Sequence, residues 1–127
     1  MLIVTSLCVG GCGAAPSGTA SGFSRATPLK STLGWFQAIN AHDRHRLLAY
    51  VALDARDQVG WARQSVQWST FTRLHCKRVG NASPQQAVVD CTFVESASPT
   101  EGNPDSFWDV YLEHTSSGWL IDNYGQG

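Results

Sequence analysis

Residues 71–94 read FTRLHCKRVGNASPQQAVVDCTFV, the pattern of two strands joined by a turn. Two runs, Phe71 to Val79 and Ala87 to Val94, alternate in polarity and are rich in the residues that strands favour. Between them, Gly80-Asn81-Ala82-Ser83-Pro84 collects turn formers. An antiparallel pairing folded about Ser83-Pro84 sets Cys76 directly opposite Cys91. A cross-strand disulfide is the natural inference, and closing a loop of about 15 residues stabilises a fold by about 3 kcal/mol in the chain-entropy model. The alternative, two buried free thiols, is disfavoured in an oxidising exterior.

Side chains two apart share a face of a strand. Leu74 and Cys76 therefore lie with Val89, Cys91 and Phe93 on one apolar face, while Asp90 and Thr92 point away. Downstream, Phe107 to His114 and Trp119 to Tyr124 make a second hairpin around Thr115-Ser116-Ser117-Gly118, after a loop from Ser96 to Ser106 that holds Pro99, Gly102, Asn103 and Pro104. Trp108, Val110 and Leu112 form one face of the third strand, with Asp109, Tyr111 and Glu113 opposite. His75 and His114 are assigned to the outer faces.

Upstream of Ser65 the period is helical. Leu29, Leu33, Phe36 and Ile39 recur at helical spacing behind Thr27-Pro28, which predicts a capped helix from about Pro28 to Ala41. Asp43 offers the cap of a second helix carrying Leu47, Leu48 and Val51. Asp54 and Asp57 resemble a capping box opening a third, with Val59 and Trp61. The sum is one α+β domain over 28–127, helices packed on a curved, mostly antiparallel sheet. A chain of 127 residues with 43% hydrophobic content has mass for one such core.

The opening MLIVTSLCVGG, residues 1–11, is apolar, too short to span a bilayer, and ends in small residues as a secretory signal does. Val9-Gly10-Gly11-Cys12 resembles the bacterial lipobox, which implies cleavage before Cys12 and acylation of its thiol; Cys8, behind Ser6 and Leu7, fits poorly. A signal ordinarily opens with Lys or Arg, and the first basic residue here is Arg25; a start upstream of Met1 would supply one. The plainer alternative is an apolar terminus without an export role. Residues 12–27, rich in Gly, Ala, Ser, Thr and Pro, read as a flexible tether in which only Phe23 offers anything to a core. These readings imply a membrane partner through a lipid, on the extracytoplasmic face.

A formal net charge of -1 and a pI near 6.4 leave no basic surplus for phosphates, so nucleic acid is not an expected partner. No C-x-x-C pair occurs, and neither a metal nor another cofactor is expected.

Trp35-Phe36-Gln37-Ala38-Ile39-Asn40-Ala41-His42-Asp43 and Gly118-Trp119-Leu120-Ile121-Asp122-Asn123-Tyr124, set in this order of helices and strands, resemble small exported members of the nuclear transport factor 2-like superfamily. The resemblance covers about Pro28 to Gly127. It implies a cone-shaped α+β barrel, a long first helix across the concave sheet and a pocket at the wide end. Its members include isomerases, dehydratases and cyclases as well as noncatalytic binders, so it speaks for fold more than activity.

An enzyme of this kind needs a carboxylate or His inside the pocket. Asp90, Asp109 and Glu113 fall on the opposite face, and Asp122 alternates with Trp119 and Ile121. Glu95 shares parity with Cys91 and Phe93 but lies at the strand's end. His42 and His45 flank Asp43 at a spacing open to a metal, though a polar interhelical turn explains them as well. No Ser-His-Asp set, nucleophile elbow or phosphate loop occurs. Five Trp in so short a chain draw attention to the aromatics. Trp35, Tyr50, Trp61, Trp68, Phe93 and Trp108, with Glu95, are the candidate pocket, against the simpler role of filling the core. The expected function is noncatalytic binding of a small apolar ligand or an envelope protein. The rivals are an isomerase, dehydratase or cyclase with Glu95 or a His as general base, and a purely structural accessory subunit.

Nonreducing peptide mapping of protein folded outside the cytoplasm is expected to recover the Cys76 and Cys91 peptides joined. Two free thiols there would remove both the bond and the pairing argued from it.

Overall fold

The computed structural model describes residues 24–60, 69–98 and 101–125. The signal, Cys12, the tether up to Phe23, Trp61 and Trp68 lie outside the described residues. Helix α1 spans Pro28–Asn40. Thr27 caps it, its hydroxyl accepting from the Lys30 N–H at 3.1 Å, and Pro28 takes a position where its missing donor costs nothing. The helix is buried over most of its circumference, Ser31 and Thr32 included. Both hydroxyls are satisfied: Ser31 Oγ donates to the Trp119 carbonyl at 2.7 Å and Thr32 Oγ1 to that of Pro28 at 2.8 Å.

The helix is closed just past its Ala41 cap by His42, whose φ of 53° is left-handed; the Asp43 N–H reaches the Ala38 carbonyl and the His42 N–H that of Ile39, a Schellman motif without glycine. Asp43 then caps α2, Arg44–Leu48, by accepting from the Arg46 N–H at 3.0 Å. His42 therefore belongs to the turn between the helices, and His45 to the first turn of α2. A 3-10 turn at Leu53–Ala55 leads into α3, Arg56–Val59. The capping box expected of Asp54 and Asp57 is not made: Ala52 and Ala55 occupy the cap positions, with no side-chain cap. Among the described residues no helix is long and apolar enough to cross a membrane.

The strands are β1 (Thr70–Ser83), β2 (Gln86–Ser98), β3 (Glu101–Thr115) and β4 (Gly118–Gly125), an antiparallel meander in that spatial order. Cys76 pairs with Cys91, their sulfurs at bonding distance, 2.06 Å. The loop expected over Ser96 to Ser106 is nearly all strand, because Ser98 pairs with Glu101, Ser96 with Gly102 and Glu95 with Asn103. Pro104 falls in a register shift, where a missing ladder donor is tolerated. The architecture is α+β, but β1 and β4 are edges and the sheet is not closed, so the barrel implied by the resemblance is not formed among the described residues.

Two bulges alter the faces that strict alternation predicts. Between Thr72 and His75, two residues of β1 oppose one of β2, with Arg73 at a φ of 52°. Phe71 is thereby turned onto the same inner face as Leu74 and Cys76, where it is buried. In β4, Tyr111 pairs with Asn123 but Leu112 with Ile121, so Trp119, Ile121 and Tyr124 all face inward.

The packed chain begins upstream of Pro28, which moves the end of the expected tether. Arg25 accepts from the Trp119 N–H through its carbonyl at 2.9 Å and donates from its guanidinium to the Ala49 carbonyl at 2.9 Å. Gly118 makes room for it: with φ at 106°, a Cβ there would stand 2.6 Å from the Arg25 carbonyl oxygen. The segment after α2 joins β4 from the other side, Ile121 donating to the Tyr50 carbonyl at 2.7 Å and Ala52 to that of Ile121 at 2.9 Å.

Gly34 carries the tightest approach of α1, since a Cβ at this position would lie 2.4 Å from the buried Tyr50 ring. Gly34→Ala is expected to destabilise the protein by about 1–3 kcal/mol, the range for overpacked cores. Urea denaturation measures it, with Gly80→Ala, which meets nothing within 4 Å, as the control that stays near wild type.

Candidate functional site

The interior face of the sheet holds those pocket candidates that lie among the described residues, Trp35, Tyr50, Phe93 and Trp108. Trp35 and Phe36, adjacent on α1, both reach it. Trp35 lies against Trp108 and Tyr124, and Phe36 against Phe71, Phe93 and Trp108. Phe93 and Trp108 meet edge to face with centroids 4.9 Å apart, and Trp108 and Tyr124 are separated by 4.4 Å. Such pairs add about 0.5–1.5 kcal/mol each beyond their buried area. Trp35 is fully buried, Phe93 2% exposed and Trp108 7% exposed. These rings pack on one another. Tyr50 belongs to the same buried core, its ring against Gly34.

Glu95 stands at the end of this interior, half-buried, its carboxylate accepting from the buried Ser69 hydroxyl at 2.7 Å. Beside it, Asn40 holds the Phe71 backbone at both groups: its amide donates to the carbonyl and its oxygen accepts the N–H, each at 2.8 Å. The Phe71–Glu95 pairing ties the two together. Glu95 is thus a rim residue with a fixed hydrogen-bond partner, and the exposed His42 is not brought into the aromatic interior.

Asp90, Asp109 and Glu113 lie half-exposed between the buried residues of their strands, on the outer face. There Asp90 stands directly opposite Asp109, with Lys77 on the far side of Asp90. The Asp109 carboxyl is held above the ordinary carboxylate range by its hydrogen bond with Asp90, then by partial burial and by the Asp90 charge. A shallow depression of about 380 Å³ adjoins them, lined by His75, Lys77, Asp90, Thr92 and Phe107 together with the two paired cysteines. Phe107 and Tyr111, flanking Asp109, are 42% and 40% exposed.

Two groupings escape the sequence. His114 is not on the outer face: it stacks on Trp119 at 4.8 Å, and parity with Val110 and Leu112 carries it there. Arg78 lies 5.8 Å from the same Trp119 ring. Asp54, Glu113 and Asp122 bring carboxylate oxygens within 4.8 Å of one another. Partial burial, then the charges of Asp122 and Asp54, raises the Glu113 carboxyl. No spacing announces this trio, because its members come from the 3-10 turn, β3 and the bulge of β4.

The folded protein holds the Asp109 proton more tightly than the unfolded chain. Stability is accordingly gained as pH falls through the raised folded value and is complete below the ordinary value of 3.8. At neutral pH the pair is a net repulsion, so Asp109→Asn is expected to raise stability there by a few tenths of a kcal/mol, as for exposed charge pairs, and to flatten the acid limb of the curve. Urea midpoints measured between pH 3 and 7 check both.

No family model matches this chain, and no curated protein does. Two solved structures share its fold. One, from Thiobacillus denitrificans, is described as a putative calcium/calmodulin-dependent protein kinase type II association domain; it has a TM-score of 0.59 at 16% identity, over 78% of this chain and 92% of that one. The other is a SEC-C motif containing protein from Rhodopseudomonas palustris, with a TM-score of 0.66 at 13% identity, over 89% of this chain and 88% of that one. At these identities the likeness is one of fold.

Proposed function

We propose that this chain is a lipoprotein held on the extracytoplasmic face of a bacterial membrane through Cys12. In this reading its domain is of the nuclear transport factor 2-like kind, with α1 across the hollow of a cone-like sheet, and serves as a noncatalytic module that binds an envelope protein. The observation that carries the binding mode is the close packing of the interior rings among the described residues. Trp35, Phe93 and Trp108, the residues that a ligand pocket would need, bury themselves against one another. Recognition then falls to the outer sheet face. Phe107 and Tyr111 bracket the Asp90–Asp109 pair there, which suits a partner segment that presents aliphatic and basic side chains. The carboxylates that chemistry would require stand on that same outer face, and Glu95 is engaged by Ser69. A likeness in fold to a structure described as an association domain fits binding better than turnover.

Expressed from its native upstream sequence, the protein is expected in the membrane fraction, and Cys12→Ala is expected to release it. A variant that stays membrane-bound and uncleaved would sink the anchor. Native mass spectrometry of protein from its own membrane separates the binding modes: a protein partner lost in Phe107→Asp with unchanged circular dichroism supports this reading. A copurified apolar molecule would replace it with the ligand reading. Isomerase or dehydratase turnover that disappears in Glu95→Gln would overturn it.

A further inference from the structure

The Arg25 contacts fix the place at which the chain joins the domain. Its carbonyl accepts from Trp119 and its guanidinium donates to Ala49, while Gly118 leaves no room for a side chain beside it. Several other features gather at the same end. The first turn of α1 is there, held by Ser31 to the Trp119 carbonyl. So is the β3–β4 turn at Ser116–Ser117. The β1–β2 turn at Pro84–Gln85 is joined to it by the His114 N–H donating to the Gln85 carbonyl at 2.8 Å. Asn40, His42 and Glu95 lie at the opposite end, where α1 finishes and β1 starts.

We infer that the end carrying Arg25, Ser116–Ser117 and Pro84–Gln85 rests toward the headgroups of the bilayer, and that the end carrying Asn40 and Glu95 is displayed away from it. The inference rests on the anchoring of Cys12 proposed above. Thirteen residue steps separate Cys12 from Arg25, and at about 3.3–3.6 Å each they cannot reach beyond about 47 Å. Strand β3, with 15 residues, runs about 46 Å over its steps of about 3.3 Å. Standing the domain on its opposite end would lift Arg25 about that far from the membrane and demand a tether at full stretch. The upright orientation demands none. Both turns present hydroxyl and amide groups, Ser83, Gln85, Gln86, Ser116 and Ser117, and no carboxylate. Exposed Lys30 adds a positive charge for lipid phosphates in the first turn of α1. The outer face with Phe107 and Tyr111 then stands across the membrane plane, open from the side.

The mature chain beginning at Cys12, with Cys76 and Cys91 joined, carries one thiol, through which it is coupled to a maleimide lipid in phosphatidylethanolamine–phosphatidylglycerol vesicles. A fluorophore is attached by Ser117→p-azidophenylalanine or by Ala41→p-azidophenylalanine, and nitroxide-headgroup lipid is the quencher. The label at position 117 is expected to be quenched several-fold more strongly than that at 41, and Arg25→Ala, which loosens the fixed point, to narrow the difference. Equal quenching in the parent, or stronger quenching at 41, overturns the orientation. The coupled chain reports orientation whether or not cells acylate Cys12, so failure of the anchor shows separately, as native protein that does not float with membranes.

Discussion

The fold depends on one contact, the burial of α1 against the aromatic inner face of the sheet. A helix buried over most of its circumference has to satisfy the polar groups it carries, and among the described residues the Trp35 indole N–H finds no partner. Ser31 and Thr32 are satisfied through carbonyl partners, one of which, Trp119, belongs to the far strand. The apolar return comes from Trp35 and Phe36, which meet rings from β1, β2, β3 and β4. Gly34 lets the helix come close enough, with Tyr50 against its backbone. The segment after α2 follows from this closeness. Tyr50 can pair with Ile121 through its carbonyl only because its ring fits beneath the helix.

The same burial explains the irregularities of the sheet. Phe71 contributes to the aromatic interior only because the bulge at Arg73 reverses its parity, and Tyr124 only because β4 slips past Tyr111. Each bulge costs a ladder pairing and brings one more ring onto the buried face. The bulge in β4 has a second effect, since Asp122 is turned toward Glu113 and Asp54, and three carboxylates come together without favouring one another.

The distribution of charge follows from what the interior excludes. Rings fill the inner face, so the carboxylates of β2 and β3 are confined to the outer one, where Asp90 and Asp109 become direct neighbours. An exposed face tolerates such a pair because water screens it. The aromatics beside it, Phe107 and Tyr111, are large apolar side chains that this packing leaves outside, as it does Leu53 and Val79.

The sequence alone determined the element order, the Thr27 and Asp43 caps, the register opposing Cys76 to Cys91, and the outer position of Asp90, Asp109 and Glu113. Each follows from a local rule, spacing along one helix or alternation along one strand, that needs no knowledge of distant neighbours. The folded arrangement settled which described aromatics pack in the interior, that the described part of the expected loop from Ser96 to Ser106 is strand, and that Arg25 belongs to the domain. It alone gathered Asp54, Glu113 and Asp122. Alternation propagates correctly until an extra residue enters a strand, and nothing in Thr72-Arg73-Leu74 or in Ile121-Asp122-Asn123 announces one. Bulges form where a distant partner strand and a buried helix make the turned side chain worth burying, and that gain exists only once the chain has folded.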